Sequence, residues 1–130
     1  MRILQALDAL RQRDDYIQRI PVRVDEHISF IDVDDIVWIK ASGNTVQIHL
    51  ANGVHEMRET MSAIAARLNP RHFARVHRSA IVNLQFVKEV RTEAQGDFVV
   101  HLLSGQRVSM SRSYHARLGH LLTRPSGRVA

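Results

Sequence analysis

Cysteine is absent from the 130-residue sequence, and so are long apolar segments. Without cysteine the chain has no disulfides, thiol nucleophiles or thiolate metal sites, and nothing indicates secretion. No apolar stretch approaches the roughly 20 residues that span a bilayer. The N-terminal segment carries Asp8, Asp14 and Asp15, so it does not resemble a signal peptide. We therefore expect a cytoplasmic protein without a membrane segment.

The patterns of common enzymes and metal sites are also missing. The sequence has no HExxH pair, no Gly-rich phosphate loop and no serine in a strand–turn–helix elbow. Its eight histidines lack metal-ligand spacing, since His49 and His101 lie in predicted strands and His115 and His120 are five positions apart. We predict neither catalysis nor a bound metal or cofactor. Only seven Phe, Trp and Tyr residues are available for stacking on bases, which disfavours RNA binding.

Acidic residues are scarce in the second half of the chain. The net charge is +5, with 45% apolar and 24% charged residues, as in a soluble globular domain. Residues 1–69 contain 8 Lys or Arg and 10 Asp or Glu, whereas residues 70–130 contain 10 and 3. A basic half beside a slightly acidic half favours a polyanion that binds one face. A solvated basic surface with no partner explains the charge alone equally well.

The first 19 residues have helical spacing. Ile3, Leu7 and Leu10 recur every three to four positions, and Pro21 ends the pattern. Such a helix suits a linker or the seam of a small homodimer, and it equally suits packing on its own domain. These three roles stay open from the sequence.

Residues 20–122 have mostly strand-like periodicity. They predict a mainly β domain of about ten short strands with short helices. Asn52-Gly53 predicts a type I′ hairpin turn. Thr60 is expected to cap one short helix, and a second helix is predicted from Ser113 to about Leu122. Residues 123–130 are predicted to be disordered.

The segment 73–84 contains no carboxylate, although it includes two arginines and a histidine. On a strand, Arg75, His77 and Ser79 share one face. Arg78 would point to the opposite face of such a strand. If the strand instead ends in a loop at Arg78, the hydrogen-bond donors of Arg75, Arg78 and Ser79 can converge. Arg78 presents a planar fork that matches guanine O6/N7 or a phosphate, and Ser79 suits a phosphate oxygen. For Arg78, the alternative is a solvated side chain. For His77, the preferred alternative is a ring whose nitrogens hold the loop in place.

Two other polar segments contain candidate binding residues. Arg112 lies at the start of the last predicted helix, where free N–H groups favour an anion. Ser111 or Ser113 can cap that helix, and we expect Ser113 to do so. Asn44, in a turn after an apolar strand, can bind an adenine edge or a phosphate, or can simply tolerate the turn geometry.

Four stretches of the chain form an ordered set. They are Asp35–Asn44, Met57–Met61 with Leu68, Phe73–Asn83 and Val108–Tyr114. The third contains the most specific string, F-x-R-x-H-R-S-x-x-V-N. Together they resemble the LytTR DNA-binding domain of bacterial response regulators. We accordingly divide the chain into a linker helix (1–19), a LytTR-like DNA-binding domain (20–122) and a tail (123–130).

The resemblance implies an elongated β-β-β sandwich whose loops along one edge enter successive major grooves of double-stranded DNA. Paired direct repeats are the usual target, and the DNA bends. Base contacts are implied for Asn44, Arg78 and Arg112. Phosphate or supporting contacts are implied for Arg75, His77, Ser79 and Ser111. The chain would then be the output domain of a transcriptional regulator, either preceded by a receiver or other sensory domain or free-standing.

The alternative function is a protein-interaction or dimerisation module. Its basic face would bind an acidic partner protein, which the charge asymmetry allows. A gel shift with genomic DNA fragments at moderate salt distinguishes this function from DNA binding, because only a DNA-binding domain retards the fragments.

Overall fold

The computed structural model describes residues 16–118, which form ten antiparallel strands, two short α-helices and two 3-10 turns. The predicted mainly β class is confirmed. The strands are β1 Arg19–Val24, β2 His27–Asp32, β3 Ile36–Ser42, β4 Thr45–Leu50, β5 Gly53–Met57, β6 Phe73–His77, β7 Ala80–Asn83, β8 Val87–Thr92, β9 Phe98–Leu102 and β10 Arg107–Met110. The helices are α1 Met61–Arg67 and α2 Arg112–Arg117, and the 3-10 turns are Val33–Asp35 and Leu84–Phe86. Neither of these helices is long and apolar enough to cross a bilayer.

The strands form three sheets, which stack as layers. The sheets are β1-β2, β5-β4-β3-β7-β6 and β10-β9-β8, and every pairing is antiparallel. The five-stranded sheet is the middle layer, because one face packs against β1, β2 and α1 and the other against the three-stranded sheet. This arrangement confirms the predicted β-β-β sandwich.

Each face of the middle sheet has its own hydrophobic core. The first core joins Ile39 of β3 to Ile20 of β1 and Ile64 of α1. The second core joins Trp38, the neighbour of Ile39, to Val100 of β9. Successive side chains of a strand point to opposite faces, so one apolar strand can supply both cores. This explains why β3 reads as an almost continuous apolar run rather than as an alternating one.

Among the interior strands of the middle sheet, β7 is buried on both faces along its whole length, and β3 is buried on both faces over Ile36–Ile39. All four residues of β7, Ala80–Asn83, are buried. In β3 the register shifts between Ile36 and Trp38, and Val37 and Trp38 both enter the second core. Asn83 is the one buried polar residue among residues 16–118, and its Nδ2 donates to the Ile36 carbonyl at 2.8 Å. These contacts fix β7 against β3.

The predicted helix cap is confirmed, but the predicted type I′ turn is wrong. A hairpin does join β4 to β5, but Leu50 is opposite Gly53, so the two loop residues are Ala51 and Asn52. Neither has the positive φ that both central residues of a type I′ turn require, and Gly53 is already the first residue of β5. At the start of α1, Thr60 Oγ1 accepts a hydrogen bond from the Ala63 N–H at 3.0 Å. The buried side of α1 then packs into the first core.

The predicted N-terminal helix is not present where the structure can test it. Residues 1–15 and the predicted tail 123–130 lie outside the described residues. Residues 16–18 are not helical, and Arg19 already pairs with Asp32 in the β1–β2 hairpin. Ile17 packs against the first core, and its N–H donates to the Arg67 carbonyl at 2.9 Å. Tertiary contacts therefore determine the conformation of residues 16–19, although the sequence places them in the predicted helix.

Candidate nucleic-acid interface

Three connections meet at one end of the middle sheet. They are the β3–β4 turn, the β6–β7 turn and the start of α2, and their exposed side chains include Asn44, Arg78 and Arg112. The surface formed by these connections is called the loop edge below and comprises residues 43–44, 78–79 and 111–112. The structure thus brings the three predicted base-contacting residues to one edge, although they are far apart in sequence.

Backbone hydrogen bonds connect the three parts of the loop edge. The Ala41 N–H donates to the Ser79 carbonyl at 2.9 Å, which joins the end of β3 to the β6–β7 turn. The Ser111 N–H donates to the Val76 carbonyl at 2.9 Å, which joins the start of α2 to the end of β6. The order along the edge is therefore Asn44, Arg78, Arg112. Main-chain bonds hold this order without help from the side chains that face solvent.

The β3–β4 turn exposes Asn44 through its local geometry. Gly43 has φ +61°, a left-handed conformation that suits glycine because it lacks a Cβ. Thr45 Oγ1 donates to the Ser42 carbonyl at 2.8 Å and closes the turn. Asn44, at the tip, is exposed, so its amide faces solvent.

The β6–β7 turn is braced by His77. The ring Nδ1 accepts a hydrogen bond from the Ser79 N–H at 3.2 Å and lies 2.9 Å from Ser79 Oγ. An accepting Nδ1 carries no proton, so the Ser79 hydroxyl donates to it as well. The N–H and the hydroxyl of Ser79 are thus both directed at His77. Arg78, which lies between these two residues in the sequence, is exposed. This geometry matches the preferred alternative for His77, a ring that holds the loop.

Arg75 contacts other residues of the chain at the partly exposed base of the β6–β7 turn. Its Nη2 donates to the Arg78 carbonyl at 2.6 Å, and its Nη1 donates to Ser62 Oγ of α1 at 3.3 Å. Its Cζ lies 5.8 Å from the centre of the Tyr114 ring of α2. The side chain is half-buried, and its Nε is shielded from solvent. The guanidinium therefore bridges three elements around the β6–β7 turn.

The start of α2 corrects one prediction. Ser111, not Ser113, is the N-cap, since Ser111 Oγ accepts from the Tyr114 N–H at 3.3 Å. Helix α2 consequently begins at Arg112, one residue before the expected start, and ends at Arg117. Ser113 Oγ lies 3.2 Å from Ser111 Oγ and supports the cap.

A fourth connection, the β8–β9 loop, also reaches the loop edge, although no sequence pattern indicated a role for it. The Arg112 Nη2 lies 3.4 Å from the position that a β-carbon on Gly96 would occupy. A cleft of about 650 Å³ separates this loop from His77 and Ser111. Glu93 in the loop pairs with Arg107 at 3.4 Å, which reduces its negative field near the edge. Only the three-dimensional packing of β9 beside β10 reveals this proximity.

Two further exposed cations lie close to the loop edge. Lys40 is opposite Ala80, the first residue after the β6–β7 turn. Arg58 follows β5, whose last residue Met57 is opposite Val46 near the β3–β4 turn. Both lie in stretches that carry the family resemblance. Their position could have been inferred from the register of the β3–β4–β5 strands.

His49 belongs to a different region, the face of β4 next to Trp38. The two rings stack with centroids 4.6 Å apart. Burial, and secondarily the positive charge of Lys40, lowers the pKa of His49 below its ordinary value of 6.5. Within residues 16–118, no group of His, Asp and Glu side chains is arranged to hold a metal ion.

Comparison with known proteins gives a consistent result. The family model described as the LytTr DNA-binding domain matches residues 26–123. The transcriptional regulatory protein LytR of Staphylococcus aureus strain N315 is 32% identical over 97 residues, which are 75% of this chain and 39% of that protein. The CO-responsive transcriptional regulator RcoM of Rhodospirillum rubrum is 32% identical over 108 residues, 82% of this chain and 46% of that protein. The chain thus matches less than half the length of these relatives.

A solved structure has the same fold. It is the LytTr DNA-binding domain of a putative methyl-accepting/DNA response regulator from Bacillus cereus. The TM-score is 0.74 at 19% identity, and the alignment covers 82% of this chain and 98% of that one.

Proposed function

The chain belongs to the LytTR family of DNA-binding domains, and on that premise we propose that it binds double-stranded DNA sequence-specifically through the loop edge. In this proposal the loops enter successive major grooves, and paired direct repeats are the target. The longer relatives are transcriptional regulators by name, so we further propose that this domain serves as the output part of such a regulator.

One observation supports this function most strongly. Three exposed polar tips from separate parts of the chain lie in a row along one edge, and backbone hydrogen bonds rather than flexible side chains fix their order. Specific recognition requires donors at defined spacing, because phosphate attraction alone cannot discriminate sequences. An acidic protein partner would require only the positive charge.

The side chains of the edge divide into two proposed roles. Arg78 and Arg112 are exposed forks suited to guanine, and Asn44 is suited to adenine. The other predicted binding residues have contacts inside the protein and are proposed to support these three. This supporting set is Arg75, His77, Ser79 and Ser111.

Replacing Arg78 tests the base-reading role. The target is a duplex selected by the full chain from a random pool, and Arg78→Ala should weaken its binding by about 1–3 kcal/mol with a relaxed preference at one base pair. Removing the guanidinium deletes a bidentate pair while leaving the turn backbone in place. The measurement is a binding titration by fluorescence anisotropy, followed by a repeated selection with the variant.

Arg71→Ala is the matched control for charge. Arg71 is exposed and precedes β6, so it lies at the opposite end of that strand from Arg78. The control should keep the selected preference at every position. If Arg78→Ala discriminates as well as the control does, Arg78 does not read bases, and a pool without any enriched sequence would refute specific DNA binding altogether.

A further inference from the structure

We propose that Arg75 is a positioning residue that aims Arg78, and that it does not bind a phosphate. This inference rests on the proposed DNA-binding function and refines the role implied by family resemblance. Arg75 lies on β6, and its Nη2 donates to the carbonyl of Arg78 at 2.6 Å. The same guanidinium reaches Ser62 Oγ of α1 at 3.3 Å.

The contacts of Arg75 hold the turn from one side while His77 holds it from the other. A guanidinium bonded to a carbonyl is a charge-assisted contact and therefore a strong one. Fixing the Arg78 carbonyl fixes the orientation of that peptide unit, which restricts the direction of the Arg78 Cα–Cβ bond. The His77 ring fixes the next residue, Ser79, through its N–H. The base of the long Arg78 side chain is thereby preorganised, which reduces the entropy lost on binding.

The side chain of Tyr114 adds a connection to α2. The Arg75 Cζ lies 5.8 Å from the Tyr114 ring centre, and the Arg117 Cζ lies 4.9 Å from the same centre. Tyr114 donates its N–H to the cap residue Ser111, immediately before Arg112. Arg75 thus contacts both the turn that carries Arg78 and the helix that begins at Arg112. The two bonds use one N–H of each Nη, and Nε is shielded from solvent, so contacts within the protein set the orientation of the guanidinium.

Arg75→Lys separates the two roles because it keeps the charge and removes the fork. A lysine ammonium is a point charge that binds phosphate well, but it cannot reproduce the planar bridge between two acceptors. If Arg75 binds a phosphate, the lysine variant retains affinity and discrimination. If Arg75 aims Arg78, the lysine variant loses discrimination even though its net charge is unchanged.

The experiment uses the full 130-residue chain and two duplexes. One duplex is selected from a random pool by the wild type, and the other has the same base composition in shuffled order. The ratio of the two dissociation constants should fall about tenfold in Arg75→Lys, the size of effect typical of one lost base contact. The salt slope on the shuffled duplex is measured with the neutral variant Arg75→Gln, for which it should stay constant, whereas one lost phosphate contact would reduce the slope by about 0.9. Arg71→Lys should match the wild type in both measurements.

A double-mutant cycle tests whether Arg75 acts through Arg78. In the Arg78→Ala background, Arg75→Lys should leave the discrimination ratio unchanged, because the group that it aims is gone. An equal loss in both backgrounds would overturn the proposal, and so would full discrimination by Arg75→Lys alone. Thermal melts verify that each variant is folded. Ser62→Ala removes only the 3.3 Å contact and should reduce the ratio by about two- to threefold, so it tests the same bridge more gently.

The two failures can be told apart. A wild-type chain that does not discriminate the duplexes refutes the proposed function. A wild-type chain that discriminates, together with an Arg75→Lys chain that discriminates equally, refutes only the positioning role.

Discussion

His49 illustrates how a single side chain in this fold responds to its surroundings. Its ring stacks on Trp38 between strands, and burial disfavours the charged form. Lys40 nearby adds repulsion for a second positive charge. The folded chain therefore keeps this imidazole neutral to a lower pH than the unfolded chain does.

The lowered pKa of His49 predicts a loss of stability in mild acid. As the pH falls below about 6.5, the unfolded chain binds a proton that the folded chain does not, so the free energy of unfolding decreases. His49→Phe keeps a ring on Trp38 and cannot titrate. Urea unfolding at pH 5 to 8 should show a shallower pH dependence for this variant than for the wild type. His27→Phe, at an exposed position, is the control and should retain the wild-type slope, while parallel curves for His49→Phe would contradict the prediction.

The residue roles that depend on local geometry were predictable to different degrees. The exposure of Arg78 and the bracing by His77 follow from a short loop flanked by apolar strands, and the structure places both accordingly. The internal contacts of Arg75 were not predictable, because Ser62 and Tyr114 come from distant parts of the chain. Whether these residues contact DNA stays a prediction.

At the scale of elements, the start of α2 depends on backbone conformation more than on composition. Serines stand at both 111 and 113, and each can cap a helix in principle. Ser111 has φ −76° and ψ 155°, the extended conformation that an N-cap requires. Its backbone N–H is bonded to β6, which fixes that conformation. The sequence alone could not reveal this long-range bond, and for that reason the expected cap was wrong.

Removing the cap should weaken α2. Ser111→Ala leaves the Tyr114 N–H without its acceptor and should lower the free energy of unfolding by about 0.5–2 kcal/mol. The matched variant Ser113→Ala removes a hydroxyl that supports the cap without forming it, so its effect should be smaller. Denaturant unfolding measures both. Equal losses, or a larger loss for Ser113→Ala, would show that the hydroxyl at 111 is not the effective cap.

At the scale of the whole molecule, the middle sheet links two cores that do not share residues. The first contains Ile39 and the second contains Leu102, and strands β3, β6 and β7 contribute to both. Losing either core would expose one face of the same sheet. We therefore expect residues 16–118 to unfold in a single cooperative transition.

Cavities in either core should destabilise the molecule as one unit. Ile39→Ala and Leu102→Ala each remove a fully buried side chain and should lower the free energy of unfolding by about 2–5 kcal/mol. Leu103→Ala, one residue along the same strand end but 61% exposed, should have little effect. Trp38 fluorescence and far-UV circular dichroism should report the same urea midpoint for each variant. Separate midpoints would mean that the two layers unfold independently.

Strand positions were predictable because period-two alternation and turn residues are local signals. The order of the strands in three sheets was not, since it depends on pairings such as β3 with β7 across long sequence separations. The resemblance to a family provided the layered arrangement instead. Strand β1 begins at Arg19, one residue inside the segment that was predicted to be a helix.

The complete burial of β7 has a mechanical consequence for any duplex that lies against the loop edge. A slip of one residue in this strand would exchange the side chains of the two cores, so the turn that carries Arg78 has no easy way to move along the strand axis. Under the proposed function, the protein would behave as a rigid template, and the adjustment needed for a close fit would fall on the nucleic acid. Stiff and compliant base steps would differ in the work that this adjustment requires, even at positions that no side chain touches. Part of the preference for a site would thus be set by the elasticity of the duplex and not by its hydrogen-bonding groups.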